Sequence, residues 1–325
     1  MQPDRIEIEQ AAERIGMHLR PTPLYQWPLL CQHLAAEVWL KHENHAPTGS
    51  FKVRGGLNYF AALKQQLTGH DVICATRGNH GQSIAIAGAL HGFRVHVVVP
   101  HGNSREKNAA MRALGARVIE AGDDFQAARD LASELALAHN WHLVPAFHPL
   151  LVAGVASYAR EMLLTRPNLQ TVYVPAGMGS GLCGMVAARD ALGLTTEIVG
   201  VVSAHAPAYA NAFELGRPTE APATTKLADG LACRKTDPAA LQIMLRGVAR
   251  FVRVTDAEIE NAMRLIFAAT HNVAEGAGAA SLAAAMQEGA RNRGREIGVV
   301  LTGGNIDSSA FAAVLTHSKA LPEAA

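Results

Sequence analysis

Lys52 is the residue of this sequence best suited to covalent chemistry. It follows Thr48-Gly-Ser50, a run that can start a helix and so place the lysine in the first helical turn. The exposed N–H groups of that turn create a positive potential, which disfavours the ammonium form. Burial acts in the same direction, and a neutral lysine amine can form an imine. Taken alone, however, a lysine is most often a solvated surface residue.

A second segment, Ala75-Thr-Arg-Gly-Asn-His-Gly-Gln82, follows a predicted strand and enters a predicted helix. A strand that ends in glycine before a helix leaves backbone N–H groups free, and these suit a carboxylate. By itself the segment is equally compatible with an ordinary turn between a strand and a helix.

A third segment, residues 174–184, is a glycine-rich turn between a strand and a helix, where backbone amides can close around a phosphate. Gly179-x-Gly181-x-x-Gly184 also satisfies the dinucleotide fingerprint, and Glu197 follows at about the expected interval of 20 residues. That acid should end the second strand to reach the ribose, whereas Glu197 begins its predicted strand. An NAD-dependent enzyme is therefore the weaker interpretation.

These segments, with Leu301-Thr-Gly-Gly-Asn305, resemble the motifs of fold-type II pyridoxal-phosphate enzymes, in particular the serine/threonine dehydratase family. Asn44-x-x-x-Thr-Gly-Ser-Phe-Lys52 resembles the family's Schiff-base lysine segment, and residues 75–82 resemble its Ser-x-Gly-Asn-His loop. The segment at 301–305 resembles the Ser-Gly-Gly-Asn of the last strand. The motifs occur in the family's order between residues 41 and 305, so the resemblance covers nearly the whole chain.

The resemblance implies that the cofactor is pyridoxal 5′-phosphate, held as a Schiff base on Lys52 next to Phe51. It also implies that Asn79 contacts the ring hydroxyl and that Thr302 meets the pyridine nitrogen. The cradle for the cofactor phosphate would comprise Gly177, Met178, Gly179, Ser180 and Gly181, of which the methionine and the serine replace glycines common in the family. The residues that border the substrate carboxylate would be Thr76, Gly78, Asn79 and His80.

Arg77, also a predicted substrate-binding residue, departs from the family pattern. Relatives often have serine here, and in racemising members this serine acts as an acid and base. An arginine, whose pKa exceeds roughly 12, cannot exchange protons at neutral pH, so racemase activity is not expected. If its side chain points inward, it could clamp a β-carboxylate or lie over an aromatic ring. If it points outward, it would pair with a surface acid.

The elements that must position these residues alternate between strand and helix, which predicts an α/β fold with parallel sheets and right-handed crossovers. The predicted strands are 72–75, 94–99, 117–120, 141–144, 171–175, 197–202 and 297–301. The predicted helices are a capped helix from Asp4 through Ile15, residues 80–91, 104–115 and 124–139, a helix from Gly181, and residues 255–271 and 275–289.

The resemblance implies two domains, as in the tryptophan synthase β-like fold, with the cofactor in the cleft between them. We expect residues 1–65 and 149–325 to form the large cofactor-binding domain. Residues 66–148 would form a small domain that closes over the substrate. The resemblance also suggests a homodimer.

Composition narrows the range of partners. Lysine and arginine total 29 against 28 acidic residues, a net charge of +1, and no basic run suggests a nucleic-acid partner. The four cysteines form no CxxC pair, and the start of the chain is polar and acidic. No apolar run reaches the roughly 20 residues that cross a bilayer. We therefore expect a cytoplasmic protein that acts on a small molecule without a membrane partner.

No metal is expected. The histidines show no HExxH spacing. Some relatives bind a cation through the glutamate of a Gly-Val-Glu-Pro run, and here that run reads Gly200-Val-Val-Ser203, without the ligand.

The resemblance therefore predicts a pyridoxal-phosphate dependent carbon–nitrogen lyase. It would eliminate water from a β-hydroxy amino acid of the threonine or serine type, possibly 3-hydroxyaspartate or phenylserine, and yield a 2-oxo acid and ammonia. Lys52 would remove the Cα proton. A β-replacement enzyme of the cysteine or cystathionine synthase type shares the fold and is the main alternative. A non-catalytic cofactor-binding protein is disfavoured, because Lys52 and the loop that would bind the substrate carboxylate (the carboxylate loop, Thr76–His80) are both intact.

Overall fold

The computed structural model describes residues 2–67 and 70–316. Within these ranges the strands are, in chain order, β1 Leu24–Gln26, β2 Glu37–His42, β3 Asp71–Ala75, β4 Arg94–Val99, β5 Arg117–Glu120, β6 His142–Leu143, β7 Thr171–Pro175, β8 Glu197–Ser203, β9 Arg250–Val254 and β10 Glu296–Leu301.

The helices of the same ranges are α1 Arg5–Gly16, α2 Pro28–Leu34, α3 Lys52–Leu63, α4 Asn79–Leu90, α5 Arg105–Ala113, α6 Phe125–His139, α7 Pro149–Thr165, α8 Ser180–Ala191, α9 Ala208–Leu215, α10 Pro238–Gly247, α11 Asp256–Thr270, α12 Gly276–Gln287, α13 Gly289–Asn292 and α14 Ser308–Thr316. Short 3₁₀ turns lie at Glu43–His45 and Asp229–Leu231.

The strands form two sheets. A six-stranded sheet has the order β1-β2-β10-β7-β8-β9, and a four-stranded sheet has the order β5-β4-β3-β6. Every pair is parallel except β1 with β2. The prediction of an α/β fold with parallel sheets flanked by helices is confirmed.

The smaller sheet is built from residues 71–143, within the predicted small domain. The apolar side of α3 also packs with this sheet, because Val53, Leu57 and Phe60 share a buried cluster with residues of β3 and β4. The exact division at residues 66 and 148 stays a prediction.

Local signals explain several helix starts. The Asp4 carboxylate accepts from the Glu7 N–H, and the Glu7 carboxylate accepts from the Asp4 N–H, which confirms the predicted cap of α1. Helix α7 begins with Pro149 after His148, whose side chain accepts from the N–H of Leu150. Among the elements that were not predicted are α7, β1, β2 and β9.

Candidate active site

A cleft lies where strands of both sheets end. It is lined by residues that follow β3, β7 and β10. In parallel α/β sheets, ligands bind at this carboxyl edge. Every residue that the sequence analysis assigned to the site lines this cleft. Their roles toward cofactor and substrate stay predictions.

Lys52 is the first residue of α3 and so lies in the first helical turn, as predicted. The segment before it is fixed against the end of β10, because Ser50 pairs with Gly303 and the Phe51 N–H donates to the Thr302 carbonyl at 3.1 Å. The Lys52 Nζ donates to Ser180 Oγ at 3.1 Å. Burial lowers the pKa of Lys52 to about 8, so a substantial fraction of the amine is neutral near that pH.

Asn305 joins two of the predicted motifs. Its Nδ2 donates to the Thr48 carbonyl and to Asn79 Oδ1, both at 2.8 Å. The Asn79 Nδ2 in turn donates to Glu275 Oε1 at 2.6 Å. Asn79 is therefore held on both sides of its amide in a fixed orientation toward the cleft.

The glycine-rich turn after β7 has room only for a small residue at its start. A Cβ added at Gly177 would lie 2.1 Å from the carbonyl oxygen of Gly230. Helix α8 begins at Ser180, and the first N–H groups of a helix have no intrahelical partner. The first turn of α8 lines the cleft and the Ser180 hydroxyl accepts from Lys52 Nζ, an arrangement that suits a phosphate group.

Thr302 follows the last strand and is almost fully buried in the cleft wall. Among the described residues, the Ala277 carbonyl is the one partner of its hydroxyl, at a long distance of 3.5 Å. A lysine amine with a lowered pKa, a helix N-terminus for a phosphate and a neutral hydroxyl therefore line one cleft. This donor set fits the aldehyde, phosphate and ring nitrogen of pyridoxal phosphate.

The predicted carboxylate loop forms the wall that follows β3. Within it, the Gly78 N–H donates to Thr76 Oγ1 at 3.0 Å, and α4 begins at Asn79 with N–H groups that lack intrahelical partners. Burial, together with the Lys52 charge, lowers the pKa of His80 to about 3, so its imidazole is neutral. The loop therefore presents N–H dipoles and a neutral imidazole to a carboxylate that binds there, and it contains no negatively charged side chain.

Arg77 is exposed and lines the cleft. The described part of the chain supplies no hydrogen bond or ion pair to its guanidinium. The surface acid that would have paired with an outward-pointing side chain is therefore not found among these residues.

Sequence reasoning missed a group of charged side chains in this cleft. Lys107 Nζ lies 2.7 Å from Asp229 Oδ2 and 3.3 Å from Glu275 Oε2. Lys107 and Asp229 lie in stretches without a recognisable motif. Glu275 directly precedes α12, where an acidic residue is usually a helix cap, but its side chain makes no cap bond and reaches Asn79 and Lys107 instead.

The dinucleotide interpretation fails on geometry. Glu197 begins β8, and its carboxylate contacts Arg250 at 3.3 Å, also at the start of a strand. The cleft lies beyond the opposite ends of these strands. An acid placed there cannot bind a ribose in the cleft.

Over residues 2–67 and 70–316, no helix has both the length and the apolar character needed to cross a membrane. The same ranges contain no group of three or more His, Cys, Asp or Glu side chains arranged to hold a metal ion.

Comparison with known proteins identifies the family that this chain matches. The family model described as "Pyridoxal-phosphate dependent enzyme" matches residues 15–303. The L-threonine ammonia-lyase of Thermotoga maritima is 30% identical over 302 residues, which cover 93% of this chain and 75% of the relative. The catabolic L-threonine dehydratase TdcB of Staphylococcus aureus is 31% identical over 316 residues, or 96% of this chain and 91% of the relative.

Solved structures agree with this family. A threonine deaminase from T.th. superposes with a TM-score of 0.87 at 31% identity and covers 94% of this chain and 99% of its own. Maize serine racemase superposes with a TM-score of 0.90 at 23% identity, over 96% of this chain and 97% of its own. At that identity, the second likeness supports the fold alone.

Proposed function

Because the chain belongs to the family of pyridoxal-phosphate dependent enzymes, we propose that it eliminates water from a β-hydroxy amino acid and yields a 2-oxo acid and ammonia. One observation carries the proposal: the Lys52 amine and the Thr76–His80 loop line the same cleft. Threonine ammonia-lyases and dehydratases that match over more than 90% of this chain support it.

Each part of the cleft has a proposed task in holding the cofactor. Lys52 Nζ would form the covalent link, and the α8 N-terminus with Ser180 would bind the phosphate. The Thr302 hydroxyl would hydrogen-bond the ring nitrogen, and Asn79, fixed by Glu275 and Asn305, would contact the ring hydroxyl. When bound, the cofactor supplies an electron-withdrawing ring that stabilises negative charge at the substrate Cα.

The substrate is held and deprotonated by the chain itself. Backbone N–H groups at the start of α4 bind its carboxylate, which orients the Cα–H bond toward Lys52. The Lys52 amine, freed when the substrate amine takes its place, then accepts the Cα proton, because burial keeps its pKa near 8 and leaves part of it neutral. The β-hydroxyl takes up one proton and leaves as water, which balances the proton that Lys52 has removed. Hydrolysis of the released unsaturated amine yields the 2-oxo acid and ammonia.

A β-replacement enzyme is the main competing function. It would replace the β-hydroxyl of the substrate with a second nucleophile, so its product would depend on an added thiol. We expect the loaded protein to release ammonia from serine at the same rate with and without a thiol such as hydrogen sulfide. Formation of a thioether or thiol amino acid in place of ammonia would favour β-replacement.

We further propose that Arg77 recognises the substrate side chain. It is exposed at the cleft, lies within the Thr76–His80 loop and has no acidic partner in the described ranges. A guanidinium in this position can bind a β-carboxylate through two hydrogen bonds or lie over an aromatic ring. Substrates larger than serine, such as 3-hydroxyaspartate or phenylserine, would use it.

Arg77→Ala tests this proposal. A lost charge-assisted contact costs roughly 1.5–3 kcal/mol, so kcat/KM for 3-hydroxyaspartate or phenylserine should fall about ten- to a hundred-fold. Serine has no such group and serves as the internal control, with a much smaller loss. Equal losses on both substrates would mean that Arg77 holds the loop in shape and does not contact the side chain.

The domain division and a homodimer are proposed on the family resemblance. Tyr25 and Leu29 each leave half or more of their surface exposed near the edge strand β1, which is compatible with a partner there. Analytical ultracentrifugation that found only monomer would contradict the dimer.

A further inference from the structure

Lys107 is a buried lysine whose methylene chain crosses the carboxylate loop. It lies on α5, and only 7% of its surface is exposed. A Cβ added at Gly78 would lie 2.4 Å from Lys107 Cδ and 3.1 Å from its Cβ and Cγ. Gly78 also has a φ of +155°, which favours glycine. The absence of a side chain at Gly78 therefore leaves the space through which the lysine passes.

The ammonium of Lys107 ends among carboxylates from another part of the chain. Asp229 belongs to the 3₁₀ turn at 229–231, and Glu275 directly precedes α12, which packs with the larger sheet. Lys107 Nζ donates to both, at 2.7 Å and 3.3 Å. Glu275 also accepts from Asn79, so one carboxylate contacts both the loop, at Asn79, and the lysine that packs beside Gly78.

The charges of this group are mutually dependent. Burial disfavours the Lys107 ammonium, but Glu275 and Asp229 outweigh this effect and raise its pKa. Burial raises the pKa of Glu275, and the Lys107 charge opposes that rise. Lys107 is therefore a cation at neutral pH, and it offsets negative charge that would otherwise repel a carboxylate from the neighbouring loop.

We propose that Lys107 is a positioning residue for substrate binding: it holds the Thr76–His80 loop against the opposite wall of the cleft and neutralises the carboxylates beside it. The proposal rests on the proposed function, in which this loop binds the substrate carboxylate. Lys107 does not contact the reacting atoms in this account. It acts through the loop backbone at Gly78 and, by way of Glu275, through Asn79.

Lys107→Met tests the proposal, because methionine keeps most of the aliphatic chain and removes the charge. We expect KM for L-serine to rise about ten- to fifty-fold while kcat changes less than about threefold, the pattern of lost ground-state binding. Amide hydrogen exchange at residues 76–80 of the loaded protein should become at least about tenfold faster. Arg112→Met is the matched control, since it removes a half-exposed cation of the same helix whose partner Glu120 is also exposed.

Unchanged KM and unchanged loop exchange in Lys107→Met would overturn the proposal. Asp229→Asn is the second variant, for the case that Lys107→Met fails to fold. It should raise KM in the same direction by a smaller factor, and an unaltered KM would overturn the proposal as well.

The readouts separate this inference from the proposed function. If the wild-type protein turned over no β-hydroxy amino acid, the proposed function would fail. The loop exchange and the affinity for L-alanine, followed by the absorbance of the loaded protein, would still test Lys107. If the wild-type enzyme is active and amide exchange at residues 76–80 is unchanged in Lys107→Met, the inference about Lys107 is rejected. The proposed function is then not affected.

Discussion

Lys52→Ala is expected to abolish ammonia release and to remove the imine absorbance of the loaded protein. Both the covalent link and the acceptance of the Cα proton depend on the Lys52 amine, whose pKa burial lowers to about 8. Loss of a group that takes part directly in the chemistry reduces turnover by at least about a thousand-fold. Steady-state ammonia release and the absorbance spectrum measure the two effects in one sample.

Lys64→Ala is the matched control. Lys64 lies at the other end of the same helix and is exposed to solvent. Its removal should change neither the spectrum nor the rate. Normal turnover by Lys52→Ala would contradict the assignment of the whole site.

Arg54→Met is expected to cause the largest loss of stability. Arg54 lies two residues after Lys52 and is fully buried, and so is its partner Glu43. Its guanidinium donates to Glu43 and Glu161 at distances between 2.7 and 3.0 Å. Removing one partner leaves a buried carboxylate without its counter-ion, which costs about 3–5 kcal/mol. The shift of the urea unfolding midpoint measures this cost.

Arg5→Met supplies the comparison. Arg5 pairs with Glu9 at 2.9 Å, but their side chains are 70% and 40% exposed. Such a surface pair contributes at most about 1 kcal/mol. Arg54→Met should also bind less cofactor, because Arg54 anchors the first turn of α3, which carries Lys52. Equal and small losses in both variants would show that the Arg54 cluster does not stabilise this helix.

The local features of the site were predictable from the sequence. Lys52 at the start of α3, the turns after β3 and β7 and the hydroxyl after β10 each have a signature within a few neighbouring residues. Glycine spacing and strand-to-helix alternation report backbone shape directly, so these features were predicted from the chain alone.

Features that depend on distant residues were not predictable in this way. Strand β2 contains Lys41 and His42, both buried, and a strand with these residues does not show the usual apolar pattern. Lys41 is tolerated there because Glu161, 120 positions later in the chain, accepts from its ammonium. The contacts of Lys107 are likewise 122 and 168 positions away, with no local signal at either end.

The most direct test of the central claim is the release of ammonia and 2-oxo acid from serine, threonine, 3-hydroxyaspartate and phenylserine by the protein loaded with pyridoxal 5′-phosphate. We expect equimolar ammonia and the matching 2-oxo acid from at least one of these substrates, without any added nucleophile. Absence of both products from all four, with the cofactor bound through Lys52, would contradict it.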